Sequence, residues 1–374
     1  MQDIERHLRV VILAGGIGSR FWPASTPARP KPLLALGPSG RPLLVETVER
    51  AATLAGDRSF AILTGSHLAD PFLRAVPELD PSVIWIEPRA RGTAPVLTWA
   101  AHRLFAEDPD AVMVSLHSDH VIQPEAAFAP LLRQAASLAL SEDILVTIAV
   151  PPDRPETGYG YLKPGAPLGD RAAGGPVAFQ VDAFVEKPDE ETARAYLAHG
   201  YLWNSGLFVF PVARFLEEIR VHAPEIAKHL PLLDQGEVEA FFEQVPTISV
   251  DEAVMERSGA VGAVRATFSW DDVGGWEALS RTRTADVQGN STLGEVHAVD
   301  TRNSIAWAEG GPIVLFGVEG LVVVRSGGTT LVTTRARAPE LKELLARLPE
   351  QLRDGRASST SAEPEGPVSP RSGT

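Results

Sequence analysis

The segment Leu13–Pro32, LAGGIGSRFWPASTPARPKP, holds the residues best suited to chemistry. Gly15, Gly16 and Gly18 follow an apolar run, and bare backbone N–H groups there can approach phosphate oxygens closely. A dinucleotide-binding turn would want a third glycine at position 21, where Phe21 stands. It would also want an acidic residue about 20 positions on, and Val10–Leu36 contains none. A Walker A loop would need Gly-Lys-Ser/Thr, which is missing. The loop does carry Arg20 directly after the glycines and Lys31 eleven residues later, braced by Pro23, Pro27, Pro30 and Pro32. Two cations on a stiffened loop beside a glycine turn suit a triphosphate, with Arg as a planar fork and Lys as a point charge. Either cation alone could be an ordinary surface charge; the grouping argues against it.

The elements that must position this loop alternate strand-like and helix-length segments, the pattern of βαβ units. Arg9–Ala14 reads as a buried strand, Pro42–Leu54 as a helix, and Phe60–Thr64 and Val83–Ile86 as strands. Thr93–Ala106 is helical, Ala111–Leu116 a strand, Pro124–Leu140 an amphipathic helix and Ile144–Val150 a strand. Tyr159–Lys163 and Ala178–Val185 read as strands of a more antiparallel kind, with Gly165–Pro176 a surface loop between them. Leu207–Phe210 reads as a strand, Ala213–Ile219 opens a helix, Glu252–Arg257 is a short helix and Gly262–Trp270 a strand entering a loop. After Arg283 short β-rich runs (Ser304–Ala306, Ile313–Phe316, Leu321–Val324, Thr330–Val332) suggest a small all-β unit closed by a helix at Pro339–Leu348. From Gly355 the composition is too polar to bury a core and predicts a disordered tail.

GGIGSR…RPKP resembles the signature of the sugar-1-phosphate nucleotidyltransferases. Further segments agree in order and spacing: Glu87-Pro88 with Arg91-Gly92-Thr93-Ala94-Pro95, Ser118-Asp119-His120, Thr157-Gly158-Tyr159-Gly160-Tyr161 and Phe184-Val185-Glu186-Lys187-Pro188. Trp203-Asn204-Ser205-Gly206-Leu207-Phe208, Asp251–Glu256 and Trp270–Trp276 follow. Together, over residues 10–280, they resemble the mannose-1-phosphate guanylyltransferases. The resemblance implies an α/β fold: a Rossmann-like, GT-A-like nucleotidyltransferase mixed sheet flanked by helices, plus a small C-terminal β-rich, β-helix-like domain. The expected boundaries are 1–285 for the catalytic domain, 286–352 for the β-rich domain and 353–374 for the tail.

The activity implied is transfer of GMP from GTP to α-D-mannose 1-phosphate, releasing pyrophosphate. Mg²⁺ would be held by Asp119, just past a strand end where open α/β sheets bind ligands, and by Asp272, with Asp271 the competing neighbour. Arg20, Lys31 and Lys187 would be the catalytic cations. The nucleotide would meet Leu13, Gly15, Gly16, Gly18, Ser19, Arg20, Lys31, Arg91, Thr93, Ser118 and Asp119. The sugar phosphate would meet Gly158, Tyr159, Gly160, Glu186, Lys187 and Asn204. Trp270 and Trp276 read as packing, and His117 and His120 as non-ligands for want of a clustered partner. Three positions depart from the family pattern: Pro32 stands where many members carry Gln, His117 replaces a common Pro, and Gly92 replaces the frequent Asn near the base or ribose. They leave open the same chemistry on another pair, such as a heptose or glucose phosphate with UTP. A catalytically inactive nucleotide-sugar-binding paralogue is the non-enzymatic alternative, against which all four loop cations and metal aspartates stand.

Composition excludes other classes. The 48 acidic against 34 basic side chains leave a net charge of −14, which repels nucleic acid at long range. With no cysteine in the 374 residues, disulfides, thiolate metal sites and thiol nucleophiles are excluded. The start MQDIERHLR is charged and lacks a signal-like apolar stretch, and apolar runs such as Val10–Ala14 are far shorter than the roughly 20 residues that span a bilayer. A cytoplasmic protein is expected, and the resemblance suggests a homodimer. Fewer than a hundred residues follow Arg283, without clustered His and Glu, which resembles the monofunctional short form and not relatives with a fused isomerase domain.

Overall fold

β-branched runs bounded by turn residues build a mixed sheet in this computed structural model, which describes residues 2–56, 59–169 and 177–355. The strands of the first unit are β1 (Leu8–Leu13), β2 (Phe60–Gly65), β3 (Ile84–Glu87), β4 (Val112–His117), β5 (Val121–Gln123), β6 (Leu145–Val150), β7 (Gly160–Leu168), β8 (Ala178–Glu186), β9 (Leu202–Pro211), β10 (Val261–Arg265) and β11 (Ser269–Asp271). Nine of them form one sheet in the order β3-β2-β1-β4-β9-β6-β10-β8-β7, while β5 and β11 pair apart as an antiparallel ribbon. β1 to β4 are mutually parallel, and their C-terminal ends finish together: Leu13 lies opposite both Leu63 and His117, and Gly65 opposite Glu87. That shared edge is where open α/β sheets take ligands.

The period of two along β1 explains its burial on both faces. Leu8, Val10 and Ile12 pack with helices Leu43–Ala55 and Phe128–Glu142, whereas Val11 and Leu13 face helices Thr93–Glu107 and Val212–His222. Several features differ from the sequence expectation, among them the split of the expected strand Gly262–Trp270 into β10 and β11. β9 starts at Leu202, five residues early, so Asn204 sits in a strand between β4 and β6 and not in a turn. β7 continues past Gly165 to Leu168; its register shifts around Pro164, and bulges let a proline-bearing strand stay paired. Residues 170–176 of the expected surface loop, and 356–374 of the expected tail, lie outside the described residues. Helices Ser66–Ala75 and Glu190–Ala198 were not legible beforehand; the second is capped by the Asp189 side chain accepting from Thr192 N–H.

The second unit stacks short strands: β12 (Ser291–Leu293), β13 (Val296–Val299), β14 (Ile305–Ala308), β15 (Ile313–Phe316), β16 (Leu321–Ser326) and β17 (Thr329–Thr334). β12, β14 and β16 run parallel with Ser291, Ile305 and Val322 in register, and β13 pairs in parallel with β15, as successive coils of a solenoid do. The closing helix is Leu341–Arg347, led in by a 3₁₀ segment at Arg335–Glu340.

The core of this second unit is continuous with the loop that follows β1. Ile305, Trp307, Val322 and Val324 share one apolar cluster with Phe21, Trp22, Leu34, Val273 and Trp276. Trp276 is wedged edge-on between Phe21 (5.1 Å between ring centroids) and Trp307 (5.5 Å), contacts worth about 0.5–1.5 kcal/mol each beyond burial. Arg29 donates to both carboxylate oxygens of Glu309 at 2.7 Å, and Ser326 Oγ donates to the same carboxylate at 2.6 Å. The β-unit therefore braces the glycine- and proline-rich loop from beneath. Among the described residues no helix is long and apolar enough to cross a membrane.

Candidate active site

The loop after β1 folds back on itself because Gly18 adopts φ 75°, a left-handed conformation that favours glycine. A Cβ on Gly18 would lie 2.3 Å from Lys31 Cβ, so the same glycine lets the Lys31 segment close over the turn. Backbone bonds from Phe21 N–H to Gly18 O (3.0 Å) and Lys31 N–H to Ile17 O (2.9 Å) lock the closure. Gly15 and Gly16 remain exposed at the mouth; Leu13 O accepts from Ser118 N–H at 3.0 Å, tying the loop to the end of β4. Ser19 and Arg20 form a 3₁₀ turn beside the opening, where Arg20 is exposed and donates to Gly274 O at 3.4 Å.

Lys31 is no surface cation: it is 7% exposed, and its ammonium donates to Asp119 Oδ2 at 2.7 Å and to Asp272 O at 2.6 Å. It draws together the end of β4 and the loop after β11. Burial alone would raise the Asp119 carboxyl, but Lys31, aided by His120 and His117, holds it down at about 2. Burial pushes the Asp272 carboxyl up, against the pull of Lys31 and of the Tyr159 hydroxyl, which donates to Asp272 Oδ1 at 2.5 Å. Asp271 is occupied elsewhere. It accepts from Arg281 Nε at 2.6 Å and Nη2 at 3.1 Å, and from Val273 N–H at 2.7 Å. Buried Val273 is held at φ 49°, an uncommon conformation for a β-branched residue, directly beside Asp272.

His117, Asp119 and His120 offer ligand atoms within 4.8 Å of one another, which corrects the expectation that the two histidines lack a clustered partner. His120 is nonetheless a poor ligand, because its Nδ1 accepts from Trp270 Nε1 at 3.0 Å, which leaves the neutral ring's proton on Nε2. The donors left open are carboxylate oxygens of Asp119 and Asp272, with the His117 imidazole stacked beside them at 4.6 Å from His120. Oxygen-rich donors of this kind fit a hard divalent cation.

A cleft lined by Leu13, Gly15, Gly16, Glu87, Gly92, Thr93, His117, Ser118 and Asp119 runs away from Lys31 along the ends of β1 to β4. Thr93 opens the helix Thr93–Glu107 there, and its hydroxyl accepts from Val250 N–H at 2.8 Å. Gly92 has φ 81° and ψ −179°, a region essentially restricted to glycine, and a Cβ would lie 2.4 Å from Ile248 O. Its departure from Asn therefore follows from the backbone path. The Arg91 guanidinium is engaged by a helix end: its Nε donates to Phe242 O at 2.8 Å and its Nη2 to Glu243 O at 3.1 Å. Those two carbonyls are more than 150 residues away in sequence, so local sequence gives no means of reading the contact.

On the other side of Asp272 lies the second group. Gly160 and Glu186 are register partners, and a Cβ on Gly160 would come within 2.6 Å of Glu186 Oε2, so this glycine makes room for a carboxylate. Gly158 N–H donates to Glu156 Oε1 at 3.1 Å. Lys187 pairs with Glu186 and takes φ 48°, its N–H donating to Tyr159 O at 3.2 Å. Asn204 Oδ1 accepts from Thr147 Oγ1 at 2.7 Å and its Nδ2 donates to Asp251 Oδ1 at 2.9 Å. Asp251, not assigned from the sequence, is pushed up to about 7 by burial and by Glu186. Trp270 and Trp276 are buried packing residues, and Tyr159 packs edge-on against Trp203 and Trp270. Two polar clusters thus meet at Tyr159 and Asp272.

Comparison with known proteins agrees with this geometry. Residues 9–289 match the family model described as Nucleotidyl transferase, and residues 294–348 match a MannoseP isomerase/GMP-like beta-helix domain. The xanthan biosynthesis protein XanB of Xanthomonas campestris pv. campestris (strain B100) is 37% identical over 350 residues, 90% of this chain and 72% of that protein. The mannose-1-phosphate guanylyltransferase of Escherichia coli (strain K12) is 37% identical over 354 residues, 90% of this chain and 73% of its own. A crystal structure from Thermus thermophilus, described as a mannose-1-phosphate geranyltransferase, superposes with a TM-score of 0.84 at 33% identity, covering 91% of this chain and 99% of that one. With a glycine turn at the common edge of β1 to β4, the Asp119 carboxylate and the Asp272 carbonyl held by one buried lysine and a match over most of its length, the chain belongs to the nucleotidyl transferase family.

Proposed function

We propose that the protein transfers GMP from GTP to α-D-mannose 1-phosphate, with residues 1–285 as the catalytic domain and residues 286–352 as the β-rich support. The observation that carries this reading is Lys31, buried and bonded to both Asp119 and the Asp272 loop at the mouth of the glycine turn. One oxygen of the sugar phosphate attacks the α-phosphorus of GTP in line. A P–O bond forms, the bond to the β-phosphate oxygen breaks, and pyrophosphate leaves with the electron pair. Both reactants are anionic, so positioning and charge neutralisation supply most of the rate. Lys31 and Arg20 would meet the triphosphate, with Gly15, Gly16 and Gly18 offering backbone N–H groups. Lys187 would meet the sugar phosphate, while Glu186 and Asn204 would take hydroxyls. Asp119 and Asp272 would hold Mg²⁺. When bound, that ion would neutralise charge between the two phosphates. Tyr159 would keep the Asp272 carboxylate oriented and ties it to the sugar side.

The test is pyrophosphate release by the purified chain with Mg²⁺, crossing GTP, ATP, UTP and dTTP with mannose, glucose and heptose 1-phosphates. Release confined to GTP with mannose 1-phosphate is expected. A different preferred pair would change the substrates and leave the mechanism, and no release with any pair would refute the enzyme reading. The same reading makes this a cytoplasmic enzyme working as a homodimer, which sedimentation of the purified chain would check.

A further inference from the structure

One ring beside the aspartates has no part in the phosphate chemistry described above. His117 is the last residue of β4, in register with Leu13 and two positions before Asp119. β9 runs antiparallel alongside, and a Cβ on Gly206 would lie 3.0 Å from His117 Nε2. The missing side chain at Gly206 therefore leaves the space in which this imidazole lies. The ring stacks on His120, and one ligand atom from each of His117, Asp119 and His120 falls within 4.8 Å of the others. The charges of Asp119, Lys31 and Asp272 all act on it.

The two histidines differ in what holds them. His120 is buried, and its bare nitrogen already takes the Trp270 indole N–H. His117 is half-buried in the wall of the cleft, and among the described residues neither of its nitrogens has a hydrogen-bond partner. A neutral imidazole keeps one nitrogen with a lone pair and no proton. Phosphates are acceptors and cannot serve that nitrogen, and the Lys31 ammonium is already bonded to Asp119 and to the Asp272 carbonyl. A divalent cation can. Bonds of about 2.0–2.2 Å set two ligand atoms on one ion about 3–4 Å apart, a span that a small turn of the His117 ring closes.

We propose that His117 is a third protein ligand on the cation held by Asp119 and Asp272, making the centre a mixed nitrogen–oxygen one. This rests on those two aspartates being the metal pair. Where this chain carries His117 the family pattern commonly has Pro, which offers no ligand, so the nitrogen is a property of this chain. It sets the choice of metal. Mg²⁺ prefers oxygen and keeps its waters, so it uses the carboxylates alone, whereas Mn²⁺ and Co²⁺ gain from the imidazole as well.

The experiment reads the nitrogens bound to the ion, not turnover. Purified full chain with GDP receives less than one equivalent of Mn²⁺, and electron spin echo modulation detects nitrogen coupled to the ion. A second preparation carries histidine labelled with heavy nitrogen, which separates a histidine ligand from a guanine one. The wild type is expected to show a coupling that shifts with the label, and His117→Ala to lose it. By calorimetric titration, His117→Ala should bind Co²⁺ about tenfold or more weakly, with Mg²⁺ binding hardly changed. A merely structural role would weaken both ions alike, and that result overturns the proposal. Bound Mn²⁺ without any label-dependent coupling in the wild type overturns it with no variant needed, should His117→Ala fail to fold. A coupling that survives in His117→Ala overturns it too and assigns the nitrogen to another histidine. Mn²⁺ binding undiminished in Asp119→Asn is a separate outcome: it places the ion away from the aspartates, and the metal reading falls together with the proposal.

Discussion

Replacing Lys31 by Met keeps the aliphatic stem and deletes the charge that holds Asp119. In the wild type Asp119 falls from 3.8 to about 2, which corresponds to about 2 kcal/mol of favourable interaction. Deleting the ammonium leaves a largely enclosed carboxylate unpaired, a change that costs about 3–5 kcal/mol when burial is complete. Asp119 keeps 29% side-chain exposure, so water relieves part of that, and about 2–3 kcal/mol is expected. For the roughly 350 described residues the unfolding entropy is about 0.7 kcal/mol/K, so Tm should fall by about 3–4 °C. The assay is calorimetry at pH 7 in chelator and again with saturating Mg²⁺. The ion should remove most of the gap, because it takes over the neutralisation of Asp119 and Asp272. The sign with pH follows from the two folded states. In the wild type the depressed carboxyl contributes stability that is present above pH 3.8 and lost as pH falls towards 2. In Lys31→Met burial acts without the lysine and raises the carboxyl, so the penalty is full at pH 7 and fades on acidification. A Tm within about 1 °C of wild type in chelator, or a gap that widens as pH falls, would refute the view that Lys31 neutralises the carboxylates.

Three further outcomes follow from the same geometry. Tyr159→Phe removes the donor to Asp272, a charge-assisted bond worth about 1.5–3 kcal/mol, so the Mg²⁺ concentration for half-maximal pyrophosphate release should rise at least tenfold. Because that bond also holds the Asp272 carboxyl down against burial, the acid limb of the kcat profile should move to higher pH; an unmoved limb would exclude the coupling. Asp271→Ala and Asp272→Ala should separate cleanly: the first releases Arg281 and the strained Val273 turn and lowers Tm, while the second spares Tm and lowers kcat by about 100-fold or more. Equal effects on both quantities would undo the division of roles. Glu309→Arg breaks the brace on Arg29, a pair over a third exposed and worth only about 0.5–1 kcal/mol. It should lower kcat/KM for GTP several-fold at little cost in Tm, with recovery in the Arg29→Glu, Glu309→Arg double variant; no recovery would point to a general disturbance.

Local order accounts for what the chain alone reveals. An apolar β-branched run followed by Gly15, Gly16 and Gly18 can hardly be anything but a buried strand ending in a turn, and Ser118-Asp119 after Ala111–Leu116 repeats the logic. Those signals act over a few residues, and strand, turn and candidate ligand were legible from them. Helices Thr93–Glu107 and Phe128–Glu142 were legible for the same reason, since their apolar spacing is set within each segment. Asn204 was legible as a candidate but not as a strand residue, because its place in β9 depends on pairing with β6 far along the chain.

What only the tertiary structure decided are the contacts between distant segments. Lys31 meets Asp119 and the Asp272 carbonyl across 88 and 241 residues, and Tyr159 meets Asp272 across 113. Arg91 carries the same charge as Lys31 on a similar loop, yet it turns to carbonyls 151 and 152 residues away. A residue's type sets which partners it can accept, but which partner lies within 3 Å depends on how sheet register and the shared core under Phe21, Trp276 and Trp307 bring loops together. The chemistry on offer was written in residue types; its assembly into one site was decided by packing.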